Sequence, residues 1–188
     1  MALRTTPIVT QDAAVEAYRL RFRAFETVVS NVSEFYPNGE VFDAYDTAFC
    51  STTLFGCYDD DKLVGSFRLS FGERLPFTRY WSDIAPQEFA VEFSRLVIEP
   101  SITNPLKRYS ILFEMVKRAA TVAAAIDAPA VYTTADPKLL GTYKRLFGLS
   151  EASPTLMAIP PGKDENIAIL HLTLTDTVKR RIAKVFGD

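Results

Sequence analysis

Charged side chains stand within otherwise apolar stretches of this sequence at four positions. Arg21 and Arg68 each lie between a leucine and a phenylalanine, and Glu92 and Arg95 share one apolar run that ends at Ile98. Removing a charge from water is unfavourable unless an opposite charge accompanies it. Charges in such places therefore indicate either a structural ion-pair network or a site that binds charged groups and moves protons.

Two aspartates three residues apart, Asp43 and Asp46, supply further carboxylates. Together with Glu92 they place three acids against three arginines, which is a balanced set. Taken singly, each of these residues is also compatible with an ordinary solvent-facing position on a strand or loop. Their occurrence together, in this order along the chain, is the specific signal.

The composition argues against several classes of function. A chain of 188 residues suits one domain, and its formal net charge of −2 argues against a broad nucleic-acid surface. Two cysteines and a single histidine, His171, offer no metal-ligand cluster and only a poor candidate for a Ser-His-Asp triad. Neither a membrane-length apolar run nor a signal peptide is evident. We therefore expect a reduced, cytoplasmic protein without a metal site.

The apolar spacing and the Gly and Pro breakers predict the elements that position these charges. They predict helices and strands in alternation, which corresponds to an α/β class with an α+β mixed sheet, and a parallel crossover between residues 90 and 134. The predicted helices are Gln11–Val29, Ser110–Ile126, Pro137–Phe147 and Asp176–Phe186. The predicted strands are Thr52–Tyr58, Leu63–Phe71, Ala90–Ile98, Ala130–Thr134, Leu156–Ile159 and Ile167–Thr175.

The charged residues and their neighbours resemble the signature of acyl-homoserine lactone synthases and the related N-acyl amino acid synthases. Both are acyltransferases of the GNAT-like fold, so the resemblance implies that fold as a single domain over residues 1–188. It covers about residues 16–150, ending in a Gly-apolar step after Tyr143. The matching motifs are Arg-x-x-x-Phe at Arg21 and Phe25, Asp-x-x-Asp at Asp43 and Asp46, Gly-x-x-Arg at Gly65 and Arg68, and Glu-x-Ser-Arg at Glu92, Ser94 and Arg95.

The implied function is transfer of a long-chain fatty acyl group from acyl carrier protein to the amine of an amino acid. Lactone synthases carry a tryptophan shortly after the first phenylalanine, whereas residues 31–33 here are Asn-Val-Ser. That departure favours the amino acid branch. The alternatives are a lactone synthase, with S-adenosylmethionine as a possible acceptor, and a non-catalytic module that binds acyl groups.

The resemblance also implies roles for individual residues. Glu92 would be the base, directly or through water, and would also hold Arg68 or Arg95, the other two catalytic residues. A β-bulge between Glu92 and Arg95 would bring both to one cleft, because side chains of a regular strand three residues apart point to opposite faces. The expected acceptor and acyl-chain contacts are Arg21, Phe25, Asp43, Asp46, Trp81, Phe93, Ser94 and Val97. Phe67 and Phe71 are further tunnel candidates, and the apolar members are equally compatible with ordinary core.

The donor is expected to be the acyl-phosphopantetheine of acyl carrier protein, with acyl-CoA as the alternative and no permanently bound cofactor. The sequence has no glycine between Gly72 and Gly141, so the glycine-rich turn that holds the CoA pyrophosphate is lacking. A helix beginning near Ser110, with Lys107 and Arg108, would hold the single phosphate. The basic residues Lys117, Arg118, Lys144 and Arg145 would also meet an acidic carrier protein. They are equally compatible with a solvated helix face.

Overall fold

The computed structural model describes residues 3–46, 51–72, 74–153, 157–158 and 166–186. In chain order its elements are β1 (Leu3–Pro7), α1 (Gln11–Glu26), α2 (Val32–Phe35), β2 (Ser51–Asp59), β3 (Lys62–Phe71), β4 (Val91–Ile98), α3 (Pro105–Ala125), β5 (Ala130–Ala135), α4 (Leu140–Phe147), β6 (Ser150–Glu151), β7 (Met157–Ala158), β8 (Asn166–Thr173) and α5 (Asp176–Phe186). The chain forms two compact units, one of Met1–Leu69 with Arg95–Ala119 and one of Ser70–Ser94 with Ala120–Asp188. Its organisation as one domain stays a prediction.

The first unit contains the N-terminal strands and the amphipathic helix α1. Strand β1 pairs antiparallel with β2, with Leu3 opposite Asp59. The turn from β2 to β3 places Asp60 at a left-handed φ of 54°, which aspartate tolerates better than most residues. Apolar side chains from α1, β2, β3 and the end of β4 form its core, namely Ala17, Leu20, Leu54, Leu63 and Val97.

The second unit is built around the parallel pair of β4 and β5, which confirms the parallel step expected between residues 90 and 134. Strand β8 runs antiparallel to β5, with Ala130 opposite Thr173, and it also pairs with β6 and β7. The sheet is therefore mixed, as expected. One core cluster of this unit contains Leu75, Phe77, Trp81, Ala90, Ala130, Tyr132 and Ile169.

Helix α3 begins at Pro105, five residues before the predicted start at Ser110, so that prediction was wrong. The side chain of Asn104 accepts hydrogen bonds from the backbone N–H groups of Leu106 and Lys107 at 3.0 and 3.1 Å. Asparagine before a helix and proline at its first position are a strong start signal, because the first turn has N–H groups without intrahelical acceptors. Strand β1 and the short helix α2 were not predicted.

Gly65 of β3 lets helix α3 approach the strand closely. A Cβ added at this position would lie 2.9 Å from Met115 Sδ and 3.1 Å from Ile111 Cγ2. These distances are shorter than ordinary van der Waals contact, so a side chain here would displace the buried face of α3. The glycine of the Gly-x-x-Arg motif therefore has a packing role.

Replacing Gly65 with alanine is expected to lower the free energy of unfolding by about 1–3 kcal/mol, because the added methyl overpacks the contact with Met115. Urea denaturation of the purified variant would measure this change. Gly141→Ala is the matched control, because nothing lies within 4 Å of a Cβ added there, in the first turn of α4. That control should be neutral or stabilising by up to about 1 kcal/mol. Equal effects of the two substitutions would contradict the packing role.

Candidate functional site

Asp43 bridges two arginines in the first unit. Its Oδ1 accepts a hydrogen bond from Arg68 Nη1 at 2.7 Å, and its Oδ2 accepts one from Arg95 Nη2 at 2.6 Å. Arg68 comes from β3 and Arg95 from β4, while Asp43 precedes a 3-10 turn at Ala44–Asp46. Charge-assisted bonds of this length are among the stronger protein hydrogen bonds, so one carboxylate ties the turn to both strands.

Asp46 holds Arg21 in the buried part of the same group. Nη1 of Arg21 lies 3.0 and 2.9 Å from the two Asp46 carboxylate oxygens, and the side chains are 0% and 1% exposed. Asp46 Oδ2 also accepts the backbone N–H of Asp43 at 3.0 Å, and Arg68 Nη1 lies 3.4 Å from Asp46 Oδ1. Arg21, Asp43, Asp46, Arg68 and Arg95 thus form one connected set, the arginine–aspartate cluster.

Aromatic rings lie beside each arginine of the cluster. Arg21 Cζ is 5.5 Å from the Tyr18 ring centroid, Arg68 Cζ is 5.8 Å from that of Tyr45, and Arg95 Cζ is 5.9 Å from that of Phe25. Such distances allow cation–π attraction. The Arg-x-x-x-Phe motif therefore supplies two members of one site. Tyr18 and Tyr45 were not among the predicted site residues, although Tyr45 stands between the two aspartates and Tyr18 lies about one helical turn before Arg21.

The cluster carries three positive and two negative formal charges. Among the described residues, Nε and Nη2 of Arg21 are buried without a hydrogen-bond partner. Burial lowers the pKa of Arg21, and the charge of Asp46 opposes this shift. Asp43 and Arg95 are 22% and 16% exposed, so they form the solvent-accessible end of the cluster. This end presents a carboxylate beside a guanidinium, which is the complement of a zwitterion.

The carboxyl of Asp43 has a strongly lowered pKa. Burial alone would raise it, but the charges of Arg95 and Arg68 and their hydrogen bonds outweigh burial and bring the pKa from 3.8 to about 2. Asp43 therefore stays ionised under all physiological conditions. The carboxyl of Asp43 binds a proton more readily in the unfolded chain than in the folded one. The stability that its ion pairs contribute is therefore fully present above pH 3.8 and is lost as the pH falls towards 2.

We expect wild-type protein to lose about 2 kcal/mol more stability than Asp43→Asn over this acidic window, because the substitution removes the titrating group. Urea denaturation at a series of pH values from about 5 to about 2 would measure both curves. The comparison concerns only the slope, since Asp43→Asn also lowers stability at neutral pH. Parallel curves would contradict the ion-pair assignment of Asp43.

Glu92 lies in the second unit, on β4 opposite Tyr132 of β5. Its side chain is 2% exposed, and Oε2 accepts the backbone N–H of Phe77 at 2.7 Å. Both Arg68 and Arg95 bind Asp43, and the expectation that Glu92 also holds one of these two arginines stays a prediction. The backbone of β4 is irregular where a bulge was expected, since Arg95 adopts a left-handed φ of 56°. The alternation of side chains is therefore interrupted after Glu92.

The predicted apolar contacts are all buried or half-buried, and they lie in several places. In the first unit, Phe67 stacks on Phe55 at 4.9 Å and Val97 packs in the core with Leu20. In the second unit, Trp81 belongs to the core cluster of Phe77, and Phe71 packs against the cluster around Val91. Phe93 and Ser94 are buried in β4. Their assignment to an acyl tunnel stays a prediction.

The predicted phosphate-binding residues near the start of α3 already make contacts within the protein. Lys107 Nζ donates to Asp59 Oδ2 at 2.6 Å, and Arg108 Nη1 donates to the carbonyl of Ile102 at 3.1 Å. Ser110 lies inside the helix and its hydroxyl donates to the Leu106 carbonyl. Arg108 is exposed. Among the other predicted basic residues, Arg145 is exposed, Lys117 and Arg118 are half-buried, and Lys144 pairs with Glu151 at 2.6 Å.

Comparison with known proteins gives a consistent family and fold. The family model described as N-acyl amino acid synthase FeeM matches residues 16–172. No curated protein sequence is significantly similar to the chain. Within the described residues, no helix is long and apolar enough to cross a membrane, and no group of three or more His, Cys, Asp or Glu side chains could hold a metal.

Solved structures share the fold at low sequence identity. FeeM, an N-acyl amino acid synthase from uncultured soil microbes, is 15% identical with a TM-score of 0.68, over 93% of this chain and 92% of that one. The CoA-dependent acyl-homoserine lactone synthase BjaI is 13% identical with a TM-score of 0.71, over 99% and 90%. An acyl-CoA N-acyltransferase from Pseudomonas aeruginosa is 18% identical with a TM-score of 0.54, over 90% and 99%. The chain therefore has the GNAT-like fold.

Proposed function

Since the chain belongs to the N-acyl amino acid synthase FeeM family and is an acyltransferase, we propose that it joins a long-chain fatty acyl group to the amine of an amino acid. The donor is acyl carrier protein carrying the acyl group as a thioester. The observation that carries the choice of acceptor is the accessible pair of Asp43 and Arg95, bonded at 2.6 Å. A free amino acid has an ammonium and a carboxylate close together, so it can meet both members of this pair.

In this proposal Asp43 meets the ammonium of the acceptor and Arg95 meets its carboxylate. The buried pair of Arg21 and Asp46 then acts as a support, because it fixes the turn that carries Asp43. This support explains how a costly buried ion pair serves the site without contact with the substrate.

The reaction requires loss of one ammonium proton before attack. Glu92, three residues before Arg95 on β4, takes this proton directly or through water. The neutral amine then attacks the thioester carbonyl, a C–N bond forms and the C–S bond breaks. The nitrogen gives up its second proton and the leaving thiolate takes up one, so the products are a neutral amide and a thiol. Backbone N–H groups of residues 96–98 stabilise the oxyanion that forms on the carbonyl.

The start of α3 supports a carrier-protein donor over acyl-CoA. GNAT-like enzymes that use CoA hold its pyrophosphate on free N–H groups at a helix N-terminus. Here Pro105 has no N–H, and the backbone N–H groups of Leu106 and Lys107 donate to the Asn104 side chain. The backbone N–H of Arg108 donates to the Asn104 carbonyl at 3.0 Å. The first turn of α3 therefore has no backbone donor left for a pyrophosphate. Arg108, which is exposed, would meet the single phosphate of phosphopantetheine.

Purified protein supplied with acyl carrier protein or acyl-CoA of equal chain length, and with single amino acids or S-adenosylmethionine, would test the proposal. Mass spectrometry should detect an N-acyl amino acid, with a higher kcat/KM for the carrier-protein donor. That advantage should shrink at high salt, because salt screens exposed charges. An acyl-homoserine lactone as the main product would replace the acceptor assignment, and equal or better turnover with acyl-CoA would overturn the donor assignment.

A further inference from the structure

Helix α3 presents three large apolar side chains to solvent on one face. Leu106, Tyr109 and Phe113 are 79%, 54% and 41% exposed. Their spacing of three and then four residues places them in one row along the helix. The rings of Tyr109 and Phe113 lie 6.3 Å apart with an interplanar angle of 24°. We refer to these three residues as the α3 stripe.

The α3 stripe is separate from the face by which α3 packs in the first unit. Ile111 and Met115 are fully buried and lie against Gly65 of β3. The helix thus already has an apolar face committed to the core, and folding does not require a second one. Contiguous exposed apolar side chains on a folded chain commonly mark a binding surface, and tyrosine is enriched in such surfaces.

The charges around the α3 stripe are mostly positive. Between residues 105 and 118 there are four basic residues, Lys107, Arg108, Lys117 and Arg118, and one acidic residue, Glu114. Lys107 is neutralised by Asp59, whereas Arg108 is exposed on another face of the same helical turn. A second copy of this helix would bring like charges together, so self-association through the stripe is disfavoured. An acidic partner would be attracted to it.

We propose that the α3 stripe is the docking surface for an acidic amphipathic helix of the acyl carrier protein that delivers the donor. Apolar side chains of that helix would pack on Leu106, Tyr109 and Phe113, while its carboxylates would be attracted by the net positive charge of this part of α3. This inference rests on the proposed use of a carrier-protein donor. It assigns recognition of the protein part of the donor to the α3 stripe, whose three side chains have no role in holding the phosphopantetheine arm.

The test compares the Tyr109→Ser/Phe113→Ser double variant with wild type on two donors, acyl carrier protein and acyl-CoA of the same chain length. We expect the KM for the carrier-protein donor to rise roughly tenfold or more, because apolar contacts at the centre of an interface carry much of its affinity. The kcat/KM for acyl-CoA should stay unchanged. Val185→Ser removes an apolar side chain that is 59% exposed on α5, and as the control it should change neither value.

An unchanged KM for the carrier-protein donor would overturn the docking proposal and leave the proposed function intact. An equal loss with both donors would also overturn it, since the stripe would then serve the fold or the chemistry. A wild-type enzyme that turns over acyl-CoA and ignores the carrier protein would overturn the donor assignment and the docking proposal together. Sedimentation showing that the double variant converts a dimer to a monomer would identify the stripe as a self-interface.

Discussion

Replacing Glu92 with glutamine is expected to lower kcat of acyl transfer by roughly 10²–10⁴-fold, the usual contribution of a general base. The bond to the backbone should persist, because the glutamine side-chain oxygen can still accept the N–H of Phe77 that Glu92 binds at 2.7 Å. Steady-state kinetics with a saturating donor, together with urea denaturation of the same preparation, would measure both effects.

Glu92→Leu separates the chemical from the structural contribution of this carboxylate. Leucine cannot accept the hydrogen bond, so the buried N–H of Phe77 would be left unpaired at a cost of about 1–3 kcal/mol. Activity should therefore fall with both substitutions, and the free energy of unfolding should fall further with leucine than with glutamine. A folded Glu92→Gln protein with wild-type kcat would show that Glu92 is not the base.

Removing Asp46 should destabilise the protein by about 3–5 kcal/mol, since Asp46→Ala leaves the fully buried guanidinium of Arg21 without its counter-charge. Chemical denaturation at neutral pH would measure the change. Glu40→Ala is the matched control. Glu40 pairs at 3.1 Å with Arg19, which lies on α1 like Arg21 but has a side chain that is 60% exposed. Breaking that exposed pair should cost less than about 1 kcal/mol.

The Arg21→Met/Asp46→Leu double variant shows whether the penalty comes from an unpaired charge. Replacing both partners with apolar side chains of similar volume is often neutral or stabilising, so this variant should recover most of the loss. A double variant as unstable as Asp46→Ala would mean that the carboxylate matters chiefly through the backbone N–H of Asp43, which it accepts at 3.0 Å. Low activity in a stable double variant would agree with a supporting role for the pair.

Periodic apolar residues allowed most of the fold to be predicted, and α5 at Asp176–Phe186 has the predicted limits. Errors occurred where local hydrogen bonds decide an element. The Asn104 cap starts α3 at Pro105, and the prediction treated these residues as a loop. Strand β1 is only five residues long, and its pairing with a strand as distant in sequence as β2, where Leu3 lies opposite Asp59, leaves little local signal.

The members of the arginine–aspartate cluster could be predicted from the sequence, but their pairing could not. A charge in an apolar run shows that a partner exists without showing which one, and the sequence could not assign Asp43 to both Arg68 and Arg95. The choice depends on where a long loop places its turn, which no local pattern encodes. Tyr18 and Tyr45 were missed for a related reason, because aromatic residues near an arginine in sequence are common and seldom informative.

The long sequence separations within the arginine–aspartate cluster have a kinetic consequence. Arg21 and Asp46 are 25 residues apart, and Arg95 and Asp43 are 52 apart, so these bonds close long loops. Closing such loops costs chain entropy, and the charges attract strongly only after water has left. The bonds should therefore form after the folding transition state, and their loss should accelerate unfolding more than it slows folding. By this reasoning the cluster sets how long a folded molecule persists before it opens.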